Sequence, residues 1–170
     1  MGSTETDHLS KILAIQQKLL GADTDLESFM NLVVTELQKL TPATAVIIEL
    51  ASGDEMVYRA ATGTAEKFLG LRLPREGSIS GLCVSSGQLL RSDNTETDTR
   101  VNIEACRRIN ARSLVVVPLL NRGHAVGVLK IMSDKVNAFS EVDINLLQLM
   151  AGFLGIELNN QMIREVKNFF

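Results

Sequence analysis

The sequence predicts an α+β domain in which helices cover both faces of one antiparallel sheet. The main observation is the stretch from Arg112 to Met132, where two apolar segments flank the polar turn Asn121-Arg122-Gly123-His124. Both faces of these two predicted strands are mostly apolar, so the sheet needs a covering layer on each side. Amphipathic helical patterns at the two ends of the chain and short helical patterns in its middle supply those layers.

Two helices are predicted before the first strand. Between His8 and Leu20, apolar residues recur every three or four positions, which is typical of an amphipathic helix. A second helix is expected to begin at Thr24, whose hydroxyl caps the first turn while Glu27 reaches back to complete a capping box. It ends before Pro42, since proline cannot continue a helix.

The middle of the chain predicts short elements. A hairpin is expected from residues 43–50 and 56–61, around the turn Ser52-Gly53-Asp54. Further short elements are then expected, in chain order: a helix at 65–69, an extended segment at 73–74, a helix from Gly77 through Val84 that ends at Gly87, a strand at 89–91, a loop at 92–99 and a helix at 102–109.

The central hairpin and the last helix carry two further signals. Pro118 has no amide proton, which predicts a bulge or a sheet edge at that position. Ser140 is placed to cap the last helix, with Glu141 and Asp143 in the first turn, where the helix dipole favours negative charge. The apolar arc of this helix is wider than packing on one sheet requires.

Composition excludes several classes of function. The 170 residues suit one domain, and a net charge of −3 argues against a general nucleic-acid binder. No apolar run approaches the length that spans a bilayer. The two cysteines, Cys83 and Cys106, and the two histidines, His8 and His124, do not make a zinc site. We expect both thiols to be reduced, in a cytoplasmic location. We therefore expect no metal and no cofactor.

The order and spacing of several motifs resemble the GAF domain family over residues 24–158. The matching segments, in chain order, are Gly81 in a short helix, Asp98-Thr99-Arg100-Val101, Arg112-Ser113-Leu114-Val115-Val116-Val117-Pro118-Leu119, Gly127-Val128-Leu129 and Phe139-Ser140-Glu141-Val142-Asp143. The resemblance implies a central antiparallel sheet with terminal helices on one face. It places a small-molecule pocket, roofed by short helices and loops, on the other face.

The resemblance also implies a function. We expect a non-catalytic sensory or regulatory domain that binds a small molecule, forms a homodimer through its terminal helices, and signals to a fused output domain such as a kinase or a cyclic-dinucleotide cyclase. Residues 1–23 would then be an N-terminal extension and helix, and residues 159–170 a helical linker. The expected ligand-binding residues are Ile79, Ser80, Leu82, Cys83, Ser92, Asp93, Arg100, Cys106, Val115 and Val117.

Two alternatives to a sensor remain at this stage. In the first, the pocket is collapsed and the domain only dimerises. In the second, the chain is similar to free methionine sulfoxide reductases, an enzymatic branch of the family with a reactive cysteine near the position of Cys106. Against the second, Ser80 stands where a partner cysteine is expected, and Lys130 and Met132 replace acidic residues. We therefore expect no enzyme activity.

Two individual side chains have competing interpretations. Arg107 and Arg108 follow Cys106 and would lower the pKa of its thiol in a redox sensor, but a lone cysteine is more often a small buried apolar residue. Arg100 either faces an anionic ligand or forms an internal ion pair with Asp93 or Asp98, and we favour the internal pair.

Overall fold

The computed structural model describes residues 2–21 and 25–169. These form a six-stranded sheet with helices on both faces. The elements are α1 (Gly2–Gly21), α2 (Leu26–Leu40), β1 (Ala45–Ser52), β2 (Glu55–Gly63), β3 (Arg72–Pro74), α3 (Ile79–Ser86), β4 (Leu90–Ser92), α4 (Ile103–Arg108), β5 (Ser113–Asn121), β6 (His124–Ser133) and α5 (Glu141–Phe169). Short 3₁₀ helices at Glu66–Phe68 and Thr95–Thr97 complete the chain.

The sheet has the order β3-β2-β1-β6-β5-β4, and every neighbouring pair is antiparallel. Pro118 pairs with Val128 of β6, but it lies beyond Val116, the last residue of β5 that pairs with β4. The β5–β6 register also shifts between Leu119 and Leu120. The expectation of a bulge or a sheet edge at Pro118 is therefore confirmed, because the pairing with β4 ends just before Pro118 and the register shift comes just after it.

Two apolar cores lie on opposite faces of the sheet, which confirms the predicted α+β class with two covering layers. One core packs α2 and α5, with Ile15 of α1, against the sheet. The other packs α3, α4 and the segment around Phe68 against the opposite face. Alternate residues of β5 divide between them, since Val115 and Val117 belong to the first core and Leu114 and Val116 to the second.

The helix boundaries differ in part from those predicted. The predicted cap at Thr24 lies outside the described residues, and the observed cap of α2 is Asp25, whose Oδ1 accepts a hydrogen bond from the amide of Ser28 at 2.8 Å. Helix α5 begins as predicted, because Ser140 Oγ accepts from the amide of Asp143 at 3.4 Å and the amide of Ser140 donates to Asp143 Oδ2 at 2.8 Å. It continues without interruption across residue 158 to Phe169.

Within the described ranges, none of the helices combines the length and the apolar character needed to cross a membrane.

Candidate functional site

A buried ion pair lies on the sheet beneath α3 and α4. Glu49 on β1 pairs with Val128 of β6, and Ile47 pairs with Lys130, so Glu49 and Lys130 are diagonal neighbours on one face. The side chain of Glu49 is 2% exposed and that of Lys130 is 9% exposed, and the distance from Lys130 Nζ to Glu49 Oε2 is 3.1 Å. Two opposite charges therefore meet in an otherwise apolar layer.

A bulge in β2 brings an aromatic ring to the same place. The β1–β2 register pairs Ile48 with Ala60 but Glu49 with Tyr58, which leaves Arg59 unpaired in this ladder and exposed. Tyr58 therefore faces the second core whereas Ala60 faces the first. The Nζ of Lys130 lies 5.9 Å from the centroid of the Tyr58 ring, within the range of a cation–π interaction.

Ser80 connects this pair to the helix above it. Its hydroxyl donates to Glu49 Oε2 at 2.5 Å and accepts from Lys130 Nζ at 3.1 Å. Ser80 is the second residue of α3, so the Glu49 carboxylate lies against the N-terminal turn of that helix, where the helix dipole stabilises an anion. We call Glu49, Ser80 and Lys130 the polar triad.

The position of α3 depends on its own local sequence. Ser78 caps the helix, accepting from the amide of Gly81 at 2.9 Å, and Gly87 ends it in the left-handed conformation with φ of 67°. A Cβ at Gly81 would overlap the carbonyl oxygen of Arg75. Glycine at this position lets α3 approach the preceding loop and lie close to the sheet.

The space around the polar triad is nearly filled. The cavity has a volume of about 20 Å³, which suits a single water molecule. Glu49 and Lys130 are the only charged side chains among its lining residues. The remaining lining comes from the sheet, from α3 and from the α4 region: Tyr58, Leu73, Ser78, Ile79, Ser80, Asn102, Ala105, Cys106, Ile109, Leu114 and Met132.

The surroundings keep the Lys130 amine charged and the Tyr58 phenol neutral. Burial alone would lower the pKa of Lys130, but the Glu49 carboxylate raises it above its usual value, so the amine is an ammonium. Burial raises the pKa of Tyr58, and the phenol therefore stays protonated.

Both thiols are free, buried and protonated at neutral pH. Burial, with a smaller contribution from Glu49, raises the pKa of Cys83 to about 12. Burial also raises the pKa of Cys106. The redox-sensor alternative, in which Arg107 and Arg108 lower this pKa, does not agree with the raised pKa, and Arg107 pairs with Glu96 at 2.9 Å. The packing interpretation of Cys106 is the one that agrees with the structure.

The structure brings some of the sequence-predicted site residues together. Ile79, Ser80 and Cys106 line the cavity, and Cys83 lies in the same core. Leu82, on the outer side of α3, is exposed and lines a separate surface groove. These five positions belong to the roof that the sequence predicts.

The other predicted residues lie elsewhere. Val115 and Val117 face the core under α2 and α5, on the opposite side of the sheet from the polar triad. Ser92 is buried and Asp93 pairs with Arg91 at 2.6 Å. Neither of them lines the cavity, and Arg100 does not line it either.

Arg100 forms the internal pair that the sequence favours. Its guanidinium donates to both carboxylate oxygens of Asp98, at 2.9 and 2.7 Å, and to the carbonyl of Arg91 at 2.7 Å. The hydrogen bond from Arg100 lowers the pKa of Asp98 far below its usual range. The guanidinium therefore holds the loop before α4 in place and is already occupied.

The sequence alone does not indicate Glu49 or Tyr58 as site residues, and Lys130 stands out there only as a departure from an acidic pattern. One signal was present. Glu49 interrupts the apolar run of β1, and Lys130 interrupts that of β6, each at a position with apolar neighbours on both sides. Ionisable residues are rarely buried unless they are paired.

Other candidate sites carry less buried charge than the polar triad. In the described part of the chain, no group of three or more His, Cys, Asp or Glu side chains is arranged to hold a metal ion. An open groove of about 620 Å³ runs between β5 and α5 on the opposite face, but among its lining residues only Arg122 is charged. The polar triad is the site that concentrates buried charge.

Comparison with known proteins identifies the fold independently. A family model described as GAF domain matches residues 23–159. No curated protein matches the sequence significantly.

Solved structures with this fold come from different kinds of protein. The GAF domain of a phosphoenolpyruvate-protein phosphotransferase from Coxiella burnetii is 21% identical, with a TM-score of 0.83 over 93% of this chain and 96% of that one. The corresponding Acinetobacter domain is 18% identical, with a TM-score of 0.78 over 94% and 96%. A free methionine-R-sulfoxide reductase from Neisseria meningitidis, solved with its substrate, is 21% identical, with a TM-score of 0.73 over 87% of each chain.

Proposed function

Since the chain belongs to the GAF domain family, we propose that it is a non-catalytic regulatory domain. It binds a small polar molecule between the sheet and the roof formed by α3 and α4. The observation that carries this proposal is the polar triad, a desolvated ion pair on the sheet that bonds directly to Ser80 of the roof. Of the residues predicted from the sequence, Ile79, Ser80, Cys83 and Cys106 remain part of the proposed site.

The energetics of the triad favour a binding role over a purely structural one. Removing two charges from water costs more than their attraction returns in many proteins, and apolar replacements of similar volume are often at least as stable. The pair is therefore a poor way to stabilise this layer. It is a good way to recognise a polar ligand, because both charged groups are already desolvated and held in position.

Binding requires the roof to open, because the cavity of about 20 Å³ is too small for a metabolite. Helix α4 is the weaker half of the roof. Cys106 is its one buried residue, whereas five of the eight residues of α3 are buried. Segments with few buried apolar contacts open at the lowest free-energy cost, so we place the entrance at α4.

We propose that the signal leaves through the terminal helices of a homodimer. Exposed apolar side chains lie on α1 and α5, including Leu9, Leu13, Ile156 and Val166. Exposed apolar surface of this kind is typical of helices that pack against a partner. A ligand shifts such a dimer only if it binds one helix arrangement more tightly than the other.

Residues 24–158 are the proposed sensory unit, and residues 1–23 and 159–170 are its terminal extensions. The unbroken continuation of α5 to Phe169 provides a stiff connection to an output domain such as a kinase or a cyclic-dinucleotide cyclase. The free thiols of Cys83 and Cys106 suit a reducing compartment, and we propose the cytoplasm.

The thiol chemistry supports a role without catalysis. A reductase needs an accessible, readily ionised cysteine, whereas the Cys106 thiol is buried and its pKa is raised. Replacing Cys106 by Ser is therefore expected to leave any methionine sulfoxide reduction by the purified protein unchanged. A loss of reduction in this variant would instead assign the chain to the enzymatic branch.

Native mass spectrometry after incubation with a metabolite extract tests the sensor proposal. We expect the wild-type chain to retain a small molecule and the variant Ala105→Trp, which fills the cavity from α4, to lose it. Glu104→Trp is the matched control, because Glu104 is an exposed residue of the same helix. A dimer that stays empty with the extract would contradict sensing and favour the alternative of a dimerisation module.

A further inference from the structure

We infer that Arg91 is a positioning residue that links the roof helix α4 to the first turn of α5 around the edge of the sheet. The inference deepens the proposed function, on which it rests, because it names the route by which movement at the roof reaches the terminal helix. The two helices pack on opposite faces, so the sheet lies between them.

Strand register places the Arg91 side chain on the α5 face. β4 is the last strand of the sheet, and its Arg91 pairs with Val115 of β5. Directly paired residues of neighbouring strands point to the same face, and Val115 belongs to the core under α2 and α5. The outer side of an edge strand pairs with no further strand, so its backbone groups are available to other partners.

The guanidinium of Arg91 holds the start of α5. It donates to the carbonyl oxygen of Phe139 at 3.0 Å and lies 3.5 Å from Glu141 Oε1. Phe139 comes directly before Ser140, the residue that caps α5. Because the side chain of Glu141 is 82% exposed, its ion pair contributes little, and the partly buried bond to Phe139 is the contact that matters.

The backbone of Arg91 is held from the α4 side. Nη2 of Arg100 donates to the Arg91 carbonyl oxygen at 2.7 Å, while the same guanidinium donates to both carboxylate oxygens of Asp98. Two residues after Arg100, the side chain of Asn102 caps α4 by accepting from the amide of Ala105 at 3.2 Å. We call the bonds from Arg100 through Arg91 to Phe139 the edge link.

An outward movement of α4 would stretch the edge link. The segment before α4 moves with the N-terminal end of the helix, and the displacement of the Arg91 backbone weakens the bond from its guanidinium to Phe139. The first turn of α5 then frays. A backbone bond from the amide of Asn137 to the Asp93 carbonyl, at 2.9 Å, also joins the two loops, but it ends three residues before the cap of α5.

Residue-resolved amide hydrogen exchange of the unliganded protein tests the edge link. Ala105→Trp moves α4 away from the sheet without a ligand, because the larger side chain enters the cavity. The reporting amides are those of residues 144–147, which bond to the first turn of α5. We expect Ala105→Trp to speed their exchange at least about fivefold. In an Arg91→Met background, the same substitution should change it less than about twofold.

Each substitution has a matched control. Glu104→Trp places the same side chain on the exposed face of α4, outside the cavity, and should leave the exchange of α5 unchanged. Arg72→Met removes a surface ion pair with Glu55 on β3, at the opposite edge of the sheet, and should leave the response to Ala105→Trp intact. An equal response in Arg91→Met and in the wild type would overturn the inference, and so would no response in the wild type.

Arg100→Met is a second perturbation, which decides the question if Ala105→Trp does not fold. It breaks the edge link from the α4 side. Exchange of the same amides should rise at least about fivefold in the wild type and less than about twofold in Arg91→Met. Equal effects in the two backgrounds would contradict the inference.

The outcomes separate this inference from the proposed function, because the exchange experiment needs no ligand. If the chain retains a metabolite from the extract but α4 acts on α5 equally with and without Arg91, the inference is wrong and the sensor proposal stands. If the chain retains nothing but the response depends on Arg91, the edge link is confirmed and the sensor proposal is wrong.

Discussion

Glu49 and Lys130 come from distant parts of the sequence and meet beneath α3, where the Nζ of Lys130 lies 3.1 Å from Oε2 of Glu49. Neither group has another charged partner among the residues that line the cavity. The stability of the domain should therefore respond very differently to the loss of one charge and to the loss of both.

Replacing Lys130 alone by Met should destabilise the protein by about 3–5 kcal/mol, because Glu49 is then buried without a counter-ion. Adding Glu49→Leu, which completes the replacement of the pair by apolar side chains, should restore wild-type stability or exceed it by up to about 4 kcal/mol. Urea unfolding of the three proteins measures these differences. Equal stabilities of the single and double variants would show that the two side chains do not act as a pair.

Alkaline pH should weaken the fold through Cys83. Its folded-state pKa is about 12 against an unfolded value of 9.0. The thiol therefore contributes stability that is fully present below pH 9.0 and is lost as pH rises towards about 12. Unfolding free energies of the wild type and Cys83→Ala should differ most below pH 9.0, with the difference shrinking by on the order of 2 kcal/mol at higher pH. A difference that is constant with pH would contradict this.

Replacing Gly81 by Ala should displace α3, since the added Cβ overlaps the carbonyl oxygen of Arg75. We expect a loss of about 1–3 kcal/mol or more in the free energy of unfolding. Gly152→Ala on α5 is the control, because nothing lies within 4 Å of its added Cβ. That change should stabilise the protein by about 1 kcal/mol through helix propensity. Similar effects of the two substitutions would refute the close approach of α3.

Amide hydrogen exchange should be faster in α4 than in α3. Only Cys106 of α4 is buried, whereas α3 is packed on the sheet over most of its length and is bonded to Glu49 and Lys130 through Ser80. Mass spectrometry of peptides that cover the two helices measures the rates. Protection of α4 equal to that of α3 would argue against an entrance at α4.

Local patterns in the sequence predict most of the fold. The turn at Gly123 and the apolar segments around it fix the central hairpin, and the missing amide proton of Pro118 correctly marks the irregular end of β5. Glycine at position 87 and serine at position 140 mark helix ends by the same kind of local chemistry. These signals act within a few residues, so they can be read without knowing the tertiary structure.

The site depends on register, which local patterns do not reveal. Val115 and Val117 were expected in the ligand pocket, but the alternate residues Leu114 and Val116 face that side of the sheet. A shift of one residue exchanges the two faces of a strand, and both faces of β5 are apolar, so the sequence alone does not distinguish them. The meeting of Glu49 with Lys130 likewise depends on the pairing of β1 with β6.

A crystal structure of the chain with its retained or added small molecule distinguishes the proposed site from the groove on the opposite face. We expect a ligand between the sheet and α4, in contact with Glu49 and Lys130, with their direct ion pair broken and α4 moved outward. A ligand bound in the groove between β5 and α5, with the polar triad intact and the cavity closed, would contradict it.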